Sequence, residues 1–121
     1  MLVVEDHPDD RDLITTALQQ CGAEMTATAS GAEALAAFDD AVPDVLVSDI
    51  GLPGLDGYAL MREIRKRPRE KGGETPALAL TAFAGEEDRR KTATAGFNEY
   101  LAKPASPAEL VARVAALAGR H

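Results

Sequence analysis

The chain contains 121 residues, 45% of them apolar and 27% charged, which is the size and composition of one globular domain. Its formal net charge of −7 argues against a domain that holds nucleic acid on a basic surface. Apolar runs stay short of the roughly 18 residues that a membrane span needs, and the first residues lack the basic and apolar regions of a secretion signal.

Predicted strands and helices alternate along the chain. Short apolar runs predict strands at Leu2 to Val4, Met25 to Ala29, Val45 to Val47, Ala77 to Leu80 and Tyr100 to Ala102. Apolar residues at helical spacing predict helices around Leu13 to Cys21, Leu35 to Phe38, Leu60 to Ile64 and Leu110 to Ala118. A further helix, Gly85 to Ala95, has little apolar stripe to bury, and we expect it to be weakly held.

Local signals mark the ends of these elements. Helix starts are indicated by Pro8 and by the capping boxes Ser30-Gly31-Ala32-Glu33 and Ser106-Pro107-Ala108-Glu109, and helix ends by Gly22 and Gly96. The run at Ala77 to Leu80 is poor in β-branched residues, but it is too short for a helix and follows Pro76. We therefore predict a buried strand there, and a loop from Arg67 to Thr75.

The alternation predicts an α/β fold in which a five-stranded parallel sheet is covered by helices on both faces. No linker, repeat or low-complexity tract divides the chain, so residues 1–121 are expected to form one domain. The one cysteine, Cys21, lies on an apolar helical face and is interpreted as a small core residue. It allows no internal disulfide, which favours a reducing, cytoplasmic location.

Polar side chains end four of the predicted strands: Glu5 and Asp6, then Asp49, Thr81 and Lys103. If the strand order is 2-1-3-4-5, these ends lie together at the edge of the sheet where sites form. Clustered carboxylates need a neutralising cation, and Mg²⁺ prefers oxygen ligands. The central Asp49 can then act as a nucleophile toward phosphorus, while a metal, a lysine and a hydroxyl neutralise charge.

Four segments resemble the signatures of response-regulator receiver domains from two-component signalling. They are Val3-Val4-Glu5-Asp6-His7-Pro8, Val45 to Gly57, Leu80-Thr81-Ala82 and Tyr100-Leu101-Ala102-Lys103-Pro104. The likeness covers essentially the whole chain and implies a doubly wound, flavodoxin-like fold. There are two departures: Glu5 replaces the commoner Asp, and the first strand begins almost at Met1. The second indicates a chain cut from a longer protein or lacking its first residues.

The resemblance implies a phosphoacceptor site. Asp49 would accept a phosphoryl group from a phosphohistidine on a sensor histidine kinase or a histidine phosphotransfer domain. Mg²⁺ would be bound by Asp6, Asp49 and the backbone carbonyl of Gly51, and Glu5 would act through a metal-bound water.

It also implies a switch. Thr81 would hydrogen-bond one phosphoryl oxygen, Lys103 would pair with another, and Tyr100 would occupy the aromatic switch position. Phosphorylation would then move the face formed by the helix at residues 85–95, the strand at 99–102 and the helix beginning near Pro107. The peptide bond between Lys103 and Pro104 is expected to be cis.

The lifetime of the phosphoryl group should depend on Gly51 and Phe83, which lie two residues after the acceptor and the threonine. Neither side chain can orient a water for attack, which predicts slow self-dephosphorylation. The opposite outcome would follow if Gly51 simply opened the site to water.

Two other functions stay open. A phosphatase of the haloacid dehalogenase type also uses Asp, Lys, Thr and Mg²⁺, but it needs its nucleophile on the first strand, which Glu5-Asp6-His7-Pro8 does not supply. A receiver-like interaction module that is never phosphorylated would normally lack the acceptor, the lysine or the acidic pair.

We do not expect the domain to be an enzyme, although it would assist its own phosphorylation and dephosphorylation. It could stand alone, or belong to a regulator or a hybrid histidine kinase, without contacting nucleic acid or membrane.

Overall fold

Strands and helices alternate in the computed structural model, which describes residues 1–20, 24–82 and 85–119. The strands are β1 (Leu2–Val4), β2 (Thr26–Thr28), β3 (Leu46–Asp49), β4 (Ala77–Thr81) and β5 (Glu99–Ala102). The helices are α1 (Pro8–Gln19), α2 (Gly31–Asp40), α3 (Gly57–Arg65), α4 (Glu86–Ala95) and α5 (Pro107–Ala118). Every predicted strand and helix is present, although Cys21 and Gly22 lie outside the described residues.

The five strands run parallel in the order β2-β1-β3-β4-β5, which confirms the predicted topology. Val4 at the end of β1 lies beside Ser48 of β3, and Thr81 at the end of β4 lies beside Ala102 of β5. The carboxyl ends of β1, β3, β4 and β5 are therefore contiguous, with β2 outside them. The strand order reverses at β1, and such a reversal opens a crevice at this edge of the sheet.

The sheet separates two apolar cores because alternate strand residues point to opposite faces. On one face, Val4 packs in a cluster with Phe38 of α2 and Leu60 of α3, which are completely buried. On the other face, Val3 packs in a cluster with residues of α1 and α5, among them the fully buried Leu117. Both faces of the sheet are therefore packed, and the side chains at the carboxyl edge project from this packed frame.

Serine side chains cap two helices where the sequence predicts capping boxes. Ser30 Oγ accepts a hydrogen bond from the N–H of Glu33 at 3.2 Å, and Ser106 Oγ accepts one from the N–H of Glu109 at 3.1 Å. The Glu33 carboxylate reaches back to the N–H of Ala29, one residue before the cap itself. The first contact of each predicted box is thus confirmed, and each cap fixes the start of its helix.

Helix α4 contributes least to the core, as its sequence predicts. Only Thr92 and Ala95 of this helix are buried, and it ends at Gly96 with a φ of 114°, a conformation that glycine adopts without steric cost. The segment predicted as a loop, 67–75, contains one 3₁₀ turn at Arg69–Lys71. Among the helices of the described ranges, none is long and apolar enough to cross a membrane.

Candidate functional site at the carboxyl edge of the sheet

The carboxyl edge gathers the polar residues that follow four of the strands. Asp49 and Thr81 are the last residues of β3 and β4, while Glu5 and Lys103 directly follow β1 and β5. Backbone hydrogen bonds fix the last two, because the Glu5 N–H donates to the Thr28 carbonyl at 3.0 Å and the Lys103 N–H to the Thr81 carbonyl at 2.7 Å. The side chains of these four residues therefore start from one edge.

The ammonium group of Lys103 lies among three carboxylates. Its Nζ is 2.5 Å from Glu5 Oε1, 3.4 Å from Asp49 Oδ2 and 3.8 Å from Asp10 Oδ2. Asp10, in the first turn of α1, was not predicted as a site residue. The available signal was its place in the first turn of the helix that directly follows Glu5 and Asp6.

The pocket also contains a group of atoms that could act as metal ligands. Glu5, Asp6, His7 and Asp49 each offer one ligand-capable atom, and these atoms all lie within 4.8 Å of one another. Two of the carboxylate oxygens, Glu5 Oε2 and Asp6 Oδ1, are buried and have no hydrogen-bond partner in the described part of the chain. Buried oxygens without partners are costly. A hard cation that prefers oxygen ligands would satisfy them, so the residues present fit Mg²⁺.

Burial and charge alter the protonation of this cluster. Burial, and then the neighbouring Asp49 carboxylate, raise the pKa of Glu5 from 4.5 to about 7, against the opposing effect of Lys103. Burial alone would lower the pKa of Lys103, but its contacts with Glu5, Asp49 and Asp10 outweigh burial and raise it. Lys103 therefore keeps its positive charge, whereas Glu5 titrates near neutral pH.

Thr81 and Tyr100 lie on one face of the sheet. Thr81 is aligned with Ala102, and Tyr100 precedes Ala102 by two residues, which returns its side chain to the same face. Thr81 is buried with 2% exposure, while Tyr100 is half-buried and has the Arg89 guanidinium 5.3 Å from its ring centre. The predicted switch pair thus lies on one face of the sheet, and Tyr100 contacts helix α4 through Arg89.

Of the two residues expected to tune dephosphorylation, the structure describes Gly51 but not Phe83. Gly51 is exposed, its N–H donates to Asp49 Oδ1 at 3.3 Å, and a Cβ added to it would meet no atom within 4 Å. Phe83 lies outside the described residues. The bond between Lys103 and Pro104 is cis, as predicted.

An acidic cluster and a lysine at the carboxyl ends of a 2-1-3-4-5 parallel sheet together indicate a receiver-type signalling domain. The chain belongs to the response regulator receiver domain family, whose family model matches residues 1–115.

Relatives of known sequence support the assignment. The transcriptional regulatory protein TrcR of Mycobacterium tuberculosis is 42% identical over 120 residues, covering 99% of this chain and 45% of that protein. An uncharacterised 14.6 kDa protein of Leptolyngbya boryana is 45% identical over 111 residues, covering 92% of this chain and 83% of that protein. The chain spans about half the length of most of the curated relatives that it matches.

Solved structures agree in fold over nearly the whole chain. The chemotaxis response regulator CheY4 of Vibrio cholerae superposes with a TM-score of 0.89 at 29% identity, covering 96% of this chain and 95% of that one. The receiver domain of the sensor histidine kinase PA1611 of Pseudomonas aeruginosa superposes with a TM-score of 0.88 at 39% identity, covering 98% and 95%. That structure contains a magnesium ion coordinated in the active-site cleft.

The chain is therefore a receiver domain of two-component signalling, and its acidic pocket is compatible with Mg²⁺ and with phosphorylation. Neither the phosphatase nor the unphosphorylated module is favoured by these likenesses. Receiver domains are generally not enzymes of the ordinary kind, although they act on their own phosphoryl group.

Proposed function

We propose that Asp49 accepts a phosphoryl group from a phosphohistidine of a sensor histidine kinase or a histidine phosphotransfer domain. One observation carries the proposal: the Asp49 carboxylate, with 8% residue exposure, has Lys103 Nζ 3.4 Å from Oδ2 and belongs to the cluster of possible metal ligands. A nucleophilic carboxylate beside a cation and a metal site meets the needs of phosphoryl transfer, which depends mainly on positioning and charge neutralisation.

We propose that Asp6, Asp49 and the backbone carbonyl of Gly51 hold Mg²⁺, and that Glu5 acts on it through a bound water. The metal would neutralise charge on the phosphoryl oxygens. The unpartnered oxygens of Glu5 and Asp6 support this assignment. Replacing Asp6 by Asn should weaken Mg²⁺ binding, because it removes one of few carboxylate ligands.

Three residues would handle the transferred group. Lys103, already in contact with Asp49, would exchange part of that contact for a phosphoryl oxygen. Thr81 would donate a hydrogen bond to another oxygen, and Tyr100 would follow into the space that Thr81 vacates. The proposal treats residues 1–121 as one cytoplasmic receiver unit that is free-standing or joined to an output or kinase domain.

The test is to incubate the protein with Mg²⁺ and acetyl phosphate and to locate the label by mass spectrometry. Asp49→Asn should abolish labelling. Asp56→Asn is the matched control: Asp56 Oδ1 caps α3 through the N–H of Ala59 at 2.8 Å, and asparagine caps equally well. A label that survives in Asp49→Asn, or that is lost only in Asp56→Asn, would sink the assignment.

A further inference from the structure

His7 brings a nitrogen donor to the acidic pocket, and its position in the fold does not explain why a histidine stands there. It is the N-cap residue of α1, but its side chain makes no capping hydrogen bond. Histidine is also not among the residues favoured at that position, which are Ser, Thr, Asp and Asn. The imidazole is mostly exposed, and its Nδ1 lies 3.3 Å from Asp6 Oδ1.

The spacing of these atoms suits a shared ion. Neighbouring ligands of an octahedral ion with bonds of about 2.1 Å lie roughly 3 Å apart, and His7 Nδ1 and Asp6 Oδ1 are separated by a similar distance. A ring nitrogen of His7 also lies within 4.8 Å of one carboxylate oxygen from each of Glu5, Asp6 and Asp49. These three oxygens lie within 4.8 Å of one another as well.

A second, independent observation points to a ligand at this place. Glu5 is completely buried, its Oε1 is paired with Lys103, and its Oε2 has no hydrogen-bond partner among the described residues. Asp6 Oδ1 is likewise buried and makes no hydrogen bond, although His7 is near. A pairing of Asp6 with a protonated His7 would account for one of these oxygens but leaves Glu5 Oε2 unsatisfied.

We propose that His7 supplies an imidazole ligand to the cation site, so that Ni²⁺ or Zn²⁺ binds there more tightly than to the oxygen ligands alone. This rests on the proposed function, because the ion shares Asp6 and Asp49 with the Mg²⁺ site. Imidazole suits borderline transition ions, whereas Mg²⁺ takes oxygen ligands and keeps several waters. His7 therefore strengthens the binding of a transition ion, and such an ion competes with Mg²⁺ for the pocket.

The experiment measures binding of Ni²⁺ and, separately, of Mg²⁺ to the tag-free protein by titration calorimetry. In His7→Gln, Ni²⁺ binding should weaken about tenfold or more, while Mg²⁺ binding should change by less than about twofold. The matched control is His121→Gln, since the chain has 2 histidines; this variant should bind both ions as the parent does. Adding Ni²⁺ should also weaken the apparent affinity for Mg²⁺ in the parent more than in His7→Gln.

The variants separate two kinds of failure. If Asp6→Asn weakens Ni²⁺ and Mg²⁺ binding but His7→Gln leaves Ni²⁺ binding intact, His7 is not a ligand and the inference is overturned while the Mg²⁺ site stands. The inference is overturned in the same way if the parent does not bind Ni²⁺, or if His121→Gln abolishes its binding. If Asp6→Asn leaves Mg²⁺ binding unchanged and Asp49 takes no label, the proposed function itself is wrong.

Discussion

Glu5 and Lys103 form the most buried charged contact of the site, with Glu5 completely buried and its partner half-buried. Because the pKa of Glu5 is about 7 in the fold against 4.5 ordinarily, the folded chain holds this proton more tightly than the unfolded chain. The resulting stabilisation is complete below about pH 4.5 and is lost as the pH rises through about 7.

This difference in pKa predicts a pH-dependent stability for the metal-free protein. In EDTA, the free energy of unfolding should fall between about pH 5 and pH 8 in the parent relative to Glu5→Gln, which cannot ionise. Urea denaturation of both proteins at several pH values measures the difference. Parallel curves for the two proteins would show that Glu5 does not titrate in this range.

Gly51 offers a direct test of phosphoryl lifetime. A side chain fits at this position without collision, and Gly51 is not among the glycines of positive φ in the described residues. Gly51→Asn places an amide near Asp49 that can orient an attacking water, so the phosphorylated protein should decay several-fold faster. Gly51→Ala fills the same space without an amide and serves as the control. Equal decay of the two variants would remove water positioning as the explanation.

The sequence predicts Asp49, Lys103, Thr81, Glu5 and Asp6 as neighbours because each follows a strand, and strand ends are easy to locate. It does not predict Asp10 or His7 beside them. Asp10 reaches Lys103 through the packing of α1 after β1, which no local pattern fixes. His7 is the chain neighbour of Asp6, and only the distances in the structure distinguish it from an ordinary helix-start residue. A missed contact of this kind is expected where a site combines strand ends with a helix start.

At the scale of elements, Arg65 of α3 forms hydrogen bonds with the residue that ends α4, Gly96. Arg65 Nε and Nη2 donate to the carbonyl of Gly96 at 3.0 and 2.7 Å, and Nη1 donates to the carbonyl of Gly73 at 2.9 Å. Nη2 also lies 3.1 Å from Asn98 Oδ1, which accepts the N–H of Ala77. Since α4 buries little of itself, these bonds hold its carboxyl end while its amino end stays weakly held.

Removing this attachment should loosen α4 selectively. Arg65→Ala is expected to lower the free energy of unfolding by about 1–3 kcal/mol, because two partly buried carbonyls lose their donors. Hydrogen exchange should accelerate in α4 more than in α1. The control is Arg62→Ala, an exposed arginine on the same helix. If both variants exchange alike in α4, the bonds to Gly96 and Gly73 are not what holds the helix.

The sequence predicts strands and helices well where the spacing of apolar residues and the length of the segment indicate the same element. It predicts them less well where the segment is short. Ala77–Thr81 is a strand although its composition favours a helix, because Pro76 and the short run leave no room for one. The 3₁₀ turn Arg69–Lys71 was missed, since one turn carries no periodic signal. The glycines after it were the usable clue: Gly72 has a φ of 92°, and a Cβ on Gly73 would collide with the Arg67 carbonyl oxygen.

At the scale of the whole molecule, the proposed switch pair lies on one face of the sheet. Thr81 and Tyr100 share the face that carries α3 and α4, whereas α1 and α5 pack on the other face through the cluster that contains Val3. The weakly packed helix α4 is on the side of the proposed switch pair, and the Arg89 contact with Tyr100 joins them. The arrangement favours a two-state shift of α4 and its neighbours over a rearrangement of the fold.

Phosphorylation is therefore expected to change α4, β5 and the start of α5. The phosphoryl group adds about 1.5 to 2 negative charges and new acceptor oxygens, which draw Thr81 inward and let Tyr100 turn away from Arg89. Backbone NMR spectra with and without acetyl phosphate should show the largest shifts in residues 86–102 and near Pro107, with Asp49→Asn as the unresponsive control. Arg89→Ala should make the shift easier, since it removes a contact of the unphosphorylated state. Changes confined to residues 13–19 of α1 would contradict this route.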